Sequence, residues 1–324
     1  MVEMKPVFEP YRDFIPRFDD FQESLNRPFP VHLRVNDLKT EPERLVRLLE
    51  GKGIRLRRLS EDWDNLFQAA DLPSPGNLME YFLGYVHPQT LTSCLAACVL
   101  CPLPGSFVLD MCASPGGKTS HMAQMMGNTG LIVANELYPN RHIALGHTLS
   151  RLGVLNTVIT AYQAQQFPLR ERFDYILADV PCSGEGRFRR VRKDFVYRLD
   201  KGRHRLHSLQ RDIILRGFDL LGEQGEMLYA TCTYNPEENE SVVHYLLENR
   251  DAQILPIDMG LEHAPGLTQW NGEHYDERLR RTLRFYPHQL DSVGFFMARI
   301  GRGGGATRPV FVPGESIRDP GDSL

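Results

Sequence analysis

The chain has 324 residues and a formal net charge of −4. That length accommodates one large domain with a smaller one and excludes a mini-scaffold that depends on disulfides for its stability. A slightly acidic total excludes capture of nucleic acid by overall charge, so any such contact has to be local. Six cysteines in so long a chain suit a reducing compartment with free thiols, and the expected location is cytoplasmic. There is no apolar run of membrane-spanning length and no leader-like start, so no membrane contact is expected.

In chain order, Val31-His32-Leu33-Arg34-Val35-Asn36 alternates like a half-buried strand. Thr40-Glu41-Pro42-Glu43 has capping-box spacing and predicts a helix through Leu45, Leu48 and Leu49, ended by Gly51 and Gly53. Alternation resumes over 54–59, and Leu72-Pro73-Ser74-Pro75-Gly76 breaks the chain again. Residues 91–100 are apolar and Ala-rich and read as a buried helix. From Phe107 onward strands and helices alternate. Strands are expected at 107–109, 131–134, 157–160, 175–177, 227–229 and 293–300, with helices at 141–152 and 204–221. Asn235-Pro236-Glu237-Glu238 carries a cap residue, a first-turn proline and first-turn acids, and predicts a further helix. The fold class is therefore α/β, a doubly wound and mostly parallel sheet. The expected division is an N-terminal α/β domain over 1–100, a catalytic domain over 101–301 and a Gly-rich flexible tail over 302–324.

Chemistry concentrates at the ends of three of these strands. Asp110-Met111-Cys112-Ala113-Ser114-Pro115-Gly116-Gly117-Lys118-Thr119 follows the first. A P-loop needs glycine where Cys112 stands, which leaves a tight strand-to-helix turn able to approach an anionic or carboxylate-bearing ligand. Glu136, about 20 residues further on, suits the ribose hydroxyls of a nucleoside. Asp179-Val180-Pro181-Cys182-Ser183-Gly184 and Ala230-Thr231-Cys232-Thr233-Tyr234 follow two more strands. A thiolate can add to C6 of a pyrimidine and activate C5 toward an electrophilic methyl, with an acid at the base edge and a second thiol as helper.

Cys94, Cys98 and Cys101 show the C-x3-C-x2-C spacing of a radical-enzyme iron–sulfur site. Their apolar helix favours a core role, since free cysteine is a small hydrophobe and no barrel follows. No metal is expected. Arg187, Arg189, Arg190, Arg192, Lys193, Arg198, Lys201, Arg203, Arg205 and Arg211 cluster directly after the Cys182 loop and read as a phosphate-tracking surface.

These motifs resemble those of the NOL/NOP/Sun family of RNA cytosine-5 methyltransferases, from about residue 34 to residue 300. The turn at 110–119 looks like the family's S-adenosylmethionine loop, with Ser114 where alanine is usual. Asp179 to Gly184 and Thr231-Cys232 look like two catalytic motifs. Arg34-Val35-Asn36-Asp37-Leu38-Lys39 looks like the N-terminal family segment, with Asp37 where threonine is frequent. Pro287-His288 and Gly294-Phe295-Phe296 look like its C-terminal signature.

The resemblance implies Cys232 as nucleophile, Cys182 as the thiol assisting release and Asp179 at the cytosine edge. It implies S-adenosylmethionine held by Cys112, Ala113, Ser114, Pro115, Gly116, Gly117, Lys118, Glu136, Arg141, Gln163 and Asp179. Gln163 stands where the family usually places an aspartate. The expected RNA contacts are Arg34, Lys39, Arg189, Arg190 and Arg192, with ribosomal or transfer RNA as substrate and a monomer as the working form. No additional C-terminal RNA-binding module is expected. Two rival readings are a non-catalytic RNA-binding or ribosome-assembly factor and the iron–sulfur radical enzyme.

Overall fold

The computed structural model describes residues 8–60, 62–70, 72, 74–190 and 203–304. It begins with α1 (Phe18–Ser24), β1 (Val31–Val35), α2 (Pro42–Glu50), β2 (Arg55–Arg58), β3 (Leu66–Ala70), α3 (Met79–Phe82), β4 (Val86–Pro88) and α4 (Leu91–Leu100). There follow β5 (Phe107–Asp110), α5 (Gly117–Met125), β6 (Leu131–Asn135), α6 (Pro139–Leu152), β7 (Thr157–Thr160), β8 (Phe173–Asp179), α7 (Arg203–Leu220) and β9 (Leu221–Thr231). The last elements are α8 (Glu240–Asn249), β10 (Ala252–Leu255), β11 (Ala264–Pro265), β12 (Gln269–Trp270), β13 (Glu273–His274), β14 (Leu283–Phe285), α9 (Pro287–Leu290) and β15 (Phe295–Arg302).

The expected doubly wound sheet is present. Its parallel part runs β9-β8-β5-β6-β7, and antiparallel β15, β14, β11 and β10 extend it beyond β9. The chain leaves β5 toward β6 and β7, then crosses back to β8 and β9. The neighbouring carboxyl ends of β5 and β8 form the switch point where such sheets bind ligands. Both faces are covered. Ile213, Phe218, Val242 and Leu246 of α7 and α8 close one, and Leu95, Met122 and Met126 of α4, α5 and the turn after it close the other. Among the described residues no helix is long and apolar enough to cross a membrane.

The small antiparallel sheet, ordered β2-β3-β1-β4, is confined to residues 31–88. This is narrower than the expected 1–100 unit. Helix α4 packs on the large sheet because its apolar residues, Cys94 and Leu95 included, have Val108, Leu177 and Leu228 to cover. The segment 8–25 also lies on the catalytic unit, where Phe8, Tyr11, Phe18 and Phe21 form a cluster with Phe188, Tyr234 and Tyr286. Beyond residue 304 the expected tail lies outside the described residues, and Arg302 itself ends β15.

Strand β1 is buried on both faces, not half-buried. Leu33 and Val35 face the small core with Leu45 and Leu49 of α2. Arg34 and His32 face the catalytic unit. The Arg34 guanidinium donates to Gln89 Oε1 at 3.1 Å, to Ser120 Oγ at 2.8 Å and to Gln124 Oε1. The Asn36 side chain bonds the carbonyls of Gly84 and Leu152 at 2.8 Å each. The two units are thus joined by a buried polar seam.

Two helix starts differ from expectation. Helix α2 begins after Glu41, without a side-chain cap, because the residue before Pro42 is held extended. Helix α8 begins at Glu240, since residues 236–239 form a turn whose side chains bond elsewhere. Glu240 is buried and makes a two-pronged ion pair with buried Arg284 of β14, with Nε to Oε1 at 2.6 Å, while Arg284 Nη1 holds the Tyr234 carbonyl at 2.9 Å. Glu240→Gln leaves a guanidinium charge buried without its counter-ion and is expected to cost about 3–5 kcal/mol of unfolding free energy, measured by urea denaturation.

Candidate active site

The two cysteine loops meet because β8 and β9 pair in parallel with Asp179 beside Ala230. Leaving the sheet side by side, the loops place Cys182 Sγ 3.4 Å from Cys232 Sγ. Several bonds fix their shapes. The Val180 amide donates to the Ala230 carbonyl at 3.1 Å and the Gly186 amide to the Cys232 carbonyl at 2.9 Å. Gly186 lies so close to the start of β15 that a Cβ there would sit 2.2 Å from the Gly294 carbonyl oxygen, so this crossing requires glycine. The Ser183 hydroxyl lies 2.7 Å from that of Thr233, which donates to Glu185 Oε2 at 3.1 Å.

The sulfurs are electrostatically unequal. A hydrogen bond from the Cys182 thiol holds Cys232 below the ordinary thiol range, and the positive charges of Lys118 and Arg187 help against burial and Asp179. The same contact, with burial, pushes Cys182 well up. Of the two, Cys232 is therefore the sulfur that gives up its proton more readily. Lys118 Nζ bonds Asp179 Oδ2 at 2.7 Å, which ties the loop after β5 to the loop after β8.

The third loop is the turn after β5. Buried Asp110, pushed up to about 7 by desolvation, accepts the Thr119 hydroxyl at 2.7 Å and closes the turn. Gly116 has φ of +100°, a conformation that glycine adopts without strain, and its amide bonds the Ala113 carbonyl at 2.8 Å. Ser114 Oγ donates to the Arg141 carbonyl, and Arg141 returns a bond to the Ser114 carbonyl at 2.9 Å. Glu136, at the end of β6, is buried. It accepts the Tyr138 amide at 3.0 Å and pairs with Arg141 at 3.0 Å. Cys112, Pro115, Gly117 and Lys118 lie on the same turn, and Gln163 is exposed in the loop after β7, with Gln165 donating to it at 3.0 Å. The cysteine pair, Asp179 and the expected cofactor residues therefore share one edge of the sheet.

The expected RNA residues do not form one surface. Arg34 is buried in the seam between the sheets. Arg189 is buried over the Phe29 ring at 3.6 Å and donates to the Phe188 and Ser292 carbonyls. Arg190 is exposed but holds Asn26 and Gln22 at 3.0 and 2.5 Å. Lys39 donates to the Leu83 and Arg151 carbonyls at the far end of α6. Since α6 runs back from the carboxyl edge of β6, this is the opposite edge of the sheet from the thiols. Arg192, Lys193, Arg198 and Lys201 lie outside the described residues, as do the side chains of Arg203 and Arg205. Arg189 belongs to a charge run, and Arg34 sits at the end of an alternating strand, patterns that carry no sign of a buried arginine; each has instead found carbonyl, amide or aromatic partners.

Cys94, Cys98 and Cys101 lie on α4 and at its end, and burial pushes the Cys94 thiol up to about 12. Among the described residues no three His, Cys, Asp or Glu side chains converge as metal ligands. Several site residues escaped sequence reasoning. Glu238 accepts the Ser183 amide at 2.9 Å and Gln210 at 3.0 Å, while Gln210 also holds the Pro181 carbonyl at 2.8 Å. Asn239 accepts the Thr231 hydroxyl at 2.6 Å. The run 235–238 reads as a helix start, but Glu238 and the Asn239 that follows it in fact brace the cysteine loops. Asn135 joins three loops, donating to the Met111 and Tyr162 carbonyls at 3.1 and 2.9 Å.

A family model described as 16S rRNA methyltransferase RsmB/F matches residues 97–301. A 28S rRNA (cytosine-C(5))-methyltransferase of Mus musculus is 37% identical over 292 residues, covering 87% of this chain. This chain spans only 36% of that mouse protein. A tRNA (cytosine(49)-C(5))-methyltransferase of Pyrococcus abyssi is 35% identical, covering 87% of this chain and 91% of its own length. A solved methyltransferase homolog protein from Pyrococcus horikoshii superposes with a TM-score of 0.76 at 34% identity, covering 89% of this chain and 91% of the other.

The unequal sulfurs give a direct prediction. Iodoacetamide is expected to modify Cys232 before Cys182. Lys118→Met removes a positive charge that favours the thiolate, so the pH profile of Cys232 alkylation moves to higher pH. Peptide mass spectrometry across a pH series checks both.

Proposed function

Because the chain belongs to the RsmB/F family of 16S rRNA methyltransferases, we propose that it methylates C5 of cytosine in RNA, with S-adenosylmethionine as donor. The single observation that carries this reading is the 3.4 Å contact between the Cys182 and Cys232 sulfurs at the carboxyl ends of adjacent strands. A non-catalytic RNA-binding factor has no use for that pair. The relatives include enzymes named for ribosomal and for transfer RNA, so the substrate is given at the level of RNA.

The residues fit the cofactor. Glu136 is a buried carboxylate at a strand end, suited to ribose hydroxyls, and the glycine turn and Asp179 follow β5 and β8 at the same edge of the sheet. When bound there, S-adenosylmethionine supplies an electrophilic methyl group. Cys232 Sγ forms a bond to C6 of cytosine, and the electron pair moved onto the ring makes C5 nucleophilic. Asp179, oriented by Lys118, holds the polar edge of the base. After C5 is methylated, its proton passes to solvent water, the C5–H electron pair re-forms the C5–C6 double bond, and the Cys232 thiolate is expelled from C6. Cys182, within reach of the departing sulfur, assists this release.

The test uses tritium transfer to RNA together with denaturing gels. Cys232→Ala is expected to abolish methyl transfer while leaving cofactor affinity nearly intact. Cys182→Ala still adds to the base but releases slowly, so a covalent protein–RNA adduct accumulates. An adduct trapped by Cys232→Ala and absent from Cys182→Ala reverses the two roles. Glu136→Ala is expected to weaken S-adenosylmethionine binding by about 1–3 kcal/mol, read by calorimetry, and unchanged affinity removes Glu136 from the site.

A further inference from the structure

A cavity of about 720 Å³ opens between the N-terminal segment, the turn after Cys232 and the hairpin of β12 and β13. One wall is aromatic. Trp270 lies 5.8 Å from Tyr11 and 5.4 Å from Phe14, centroid to centroid, and Tyr11 lies 5.2 Å from Phe14. Asp13, Glu237, Asn235, Gln269 and Asn271 also line it, and none of its lining residues is basic. Neither Asp13 nor Glu237 has an ion-pair partner among the described residues. Arg284 lies 5.0 Å from the Phe14 ring, but Glu240 neutralises its charge.

We propose that this cavity is a docking site for an arginine side chain of a partner protein. Aromatic faces attract cations, and the two free carboxylates add to that attraction. A phosphate-bearing ligand would meet two acids and no base there, which argues against a nucleotide. A planar guanidinium can stack on an aromatic wall while its N–H edges reach carboxylate and amide oxygens, which an ammonium point charge cannot do. The chain uses the same pairing internally, with Arg189 over Phe29 at 3.6 Å and Arg151 over Tyr81 at 3.9 Å. The volume admits such a side chain with its flanking peptide. The site is separate from the cofactor turn. It still reaches the cysteine loops, because Tyr11 donates to Glu185 at 3.1 Å and Glu185 accepts Thr233.

The test is calorimetry on the full chain without RNA or cofactor, using a capped Gly-Gly-Arg-Gly-Gly peptide. Its citrulline analogue has the same shape without the charge. Saturable binding is expected, about tenfold weaker for citrulline and about fivefold weaker in Asp13→Asn or Glu237→Gln, variants that keep side-chain volume. Trp270→Ala should also weaken it, with Trp270→Phe retaining most of it. Equal binding of the citrulline peptide, or no saturable binding at millimolar concentration, overturns the proposal. Tighter binding of spermidine overturns it in favour of a polyamine site, and binding of guanosine monophosphate at the same residues in favour of a nucleobase pocket.

Discussion

The parallel pairing of β8 with β9 is the constraint on which the site depends. A shift of one residue in that register would turn every side chain of one strand to the opposite face. It would also carry Cys182 and Cys232 out of contact. The register is held from both sides. Tyr175, Ile176 and Leu177 of β8 lie in two different cores, as do Met227 and Leu228 of β9, so neither strand can slip without exposing apolar surface. Polar bonds do the finer adjustment at the strand ends. Glu238 and Gln210 hold the Cys182 loop, Asn239 holds Thr231, and the Lys118–Asp179 pair joins that edge to the glycine turn.

Much of this was legible in the sequence. The parallel strands β5, β6, β8 and β9 show as apolar runs that stop at Asp110, Asn135, Asp179 and Thr231, because buried strands need apolar residues and their loops do not. Helix α4 has the bounds expected of an apolar, Ala-rich run. The glycine at 186 had no visible reason in the sequence; the reason is a backbone crossing with Gly294, more than a hundred positions away. The antiparallel extension through β10, β11 and β14 was hidden for the same cause. Those strands are short, and their pairing is fixed by long-range contacts and not by local pattern.

The basic residues show the opposite limit. Periodicity reports which apolar side chains are inside, but an arginine reads alike on a surface and in a seam. Arg34 and Arg189 are fully enclosed because carbonyls, amides and a ring replace their water. Burial without a direct carboxylate brings the Arg34 guanidinium down to about 10, still charged at neutral pH. The seam is therefore a charged joint built from neutral acceptors, which adds directional bonds to the apolar contact that Leu66 of β3 makes with the catalytic core.

That joint bears on how the chain is made. Synthesis delivers residues 31–88 before the catalytic unit, and the surface they will later bury against that unit carries His32, Arg34, Asn36 and His87. Water can solvate such a face until α5 emerges from the ribosome some thirty residues later. An apolar docking face would wait as an adhesive patch in a crowded cell, exposed to other nascent chains. Here Leu66 of β3 is the apolar part of that face, and the polar groups beside it can idle in solution until the particular carbonyls and amides of their own later segment arrive.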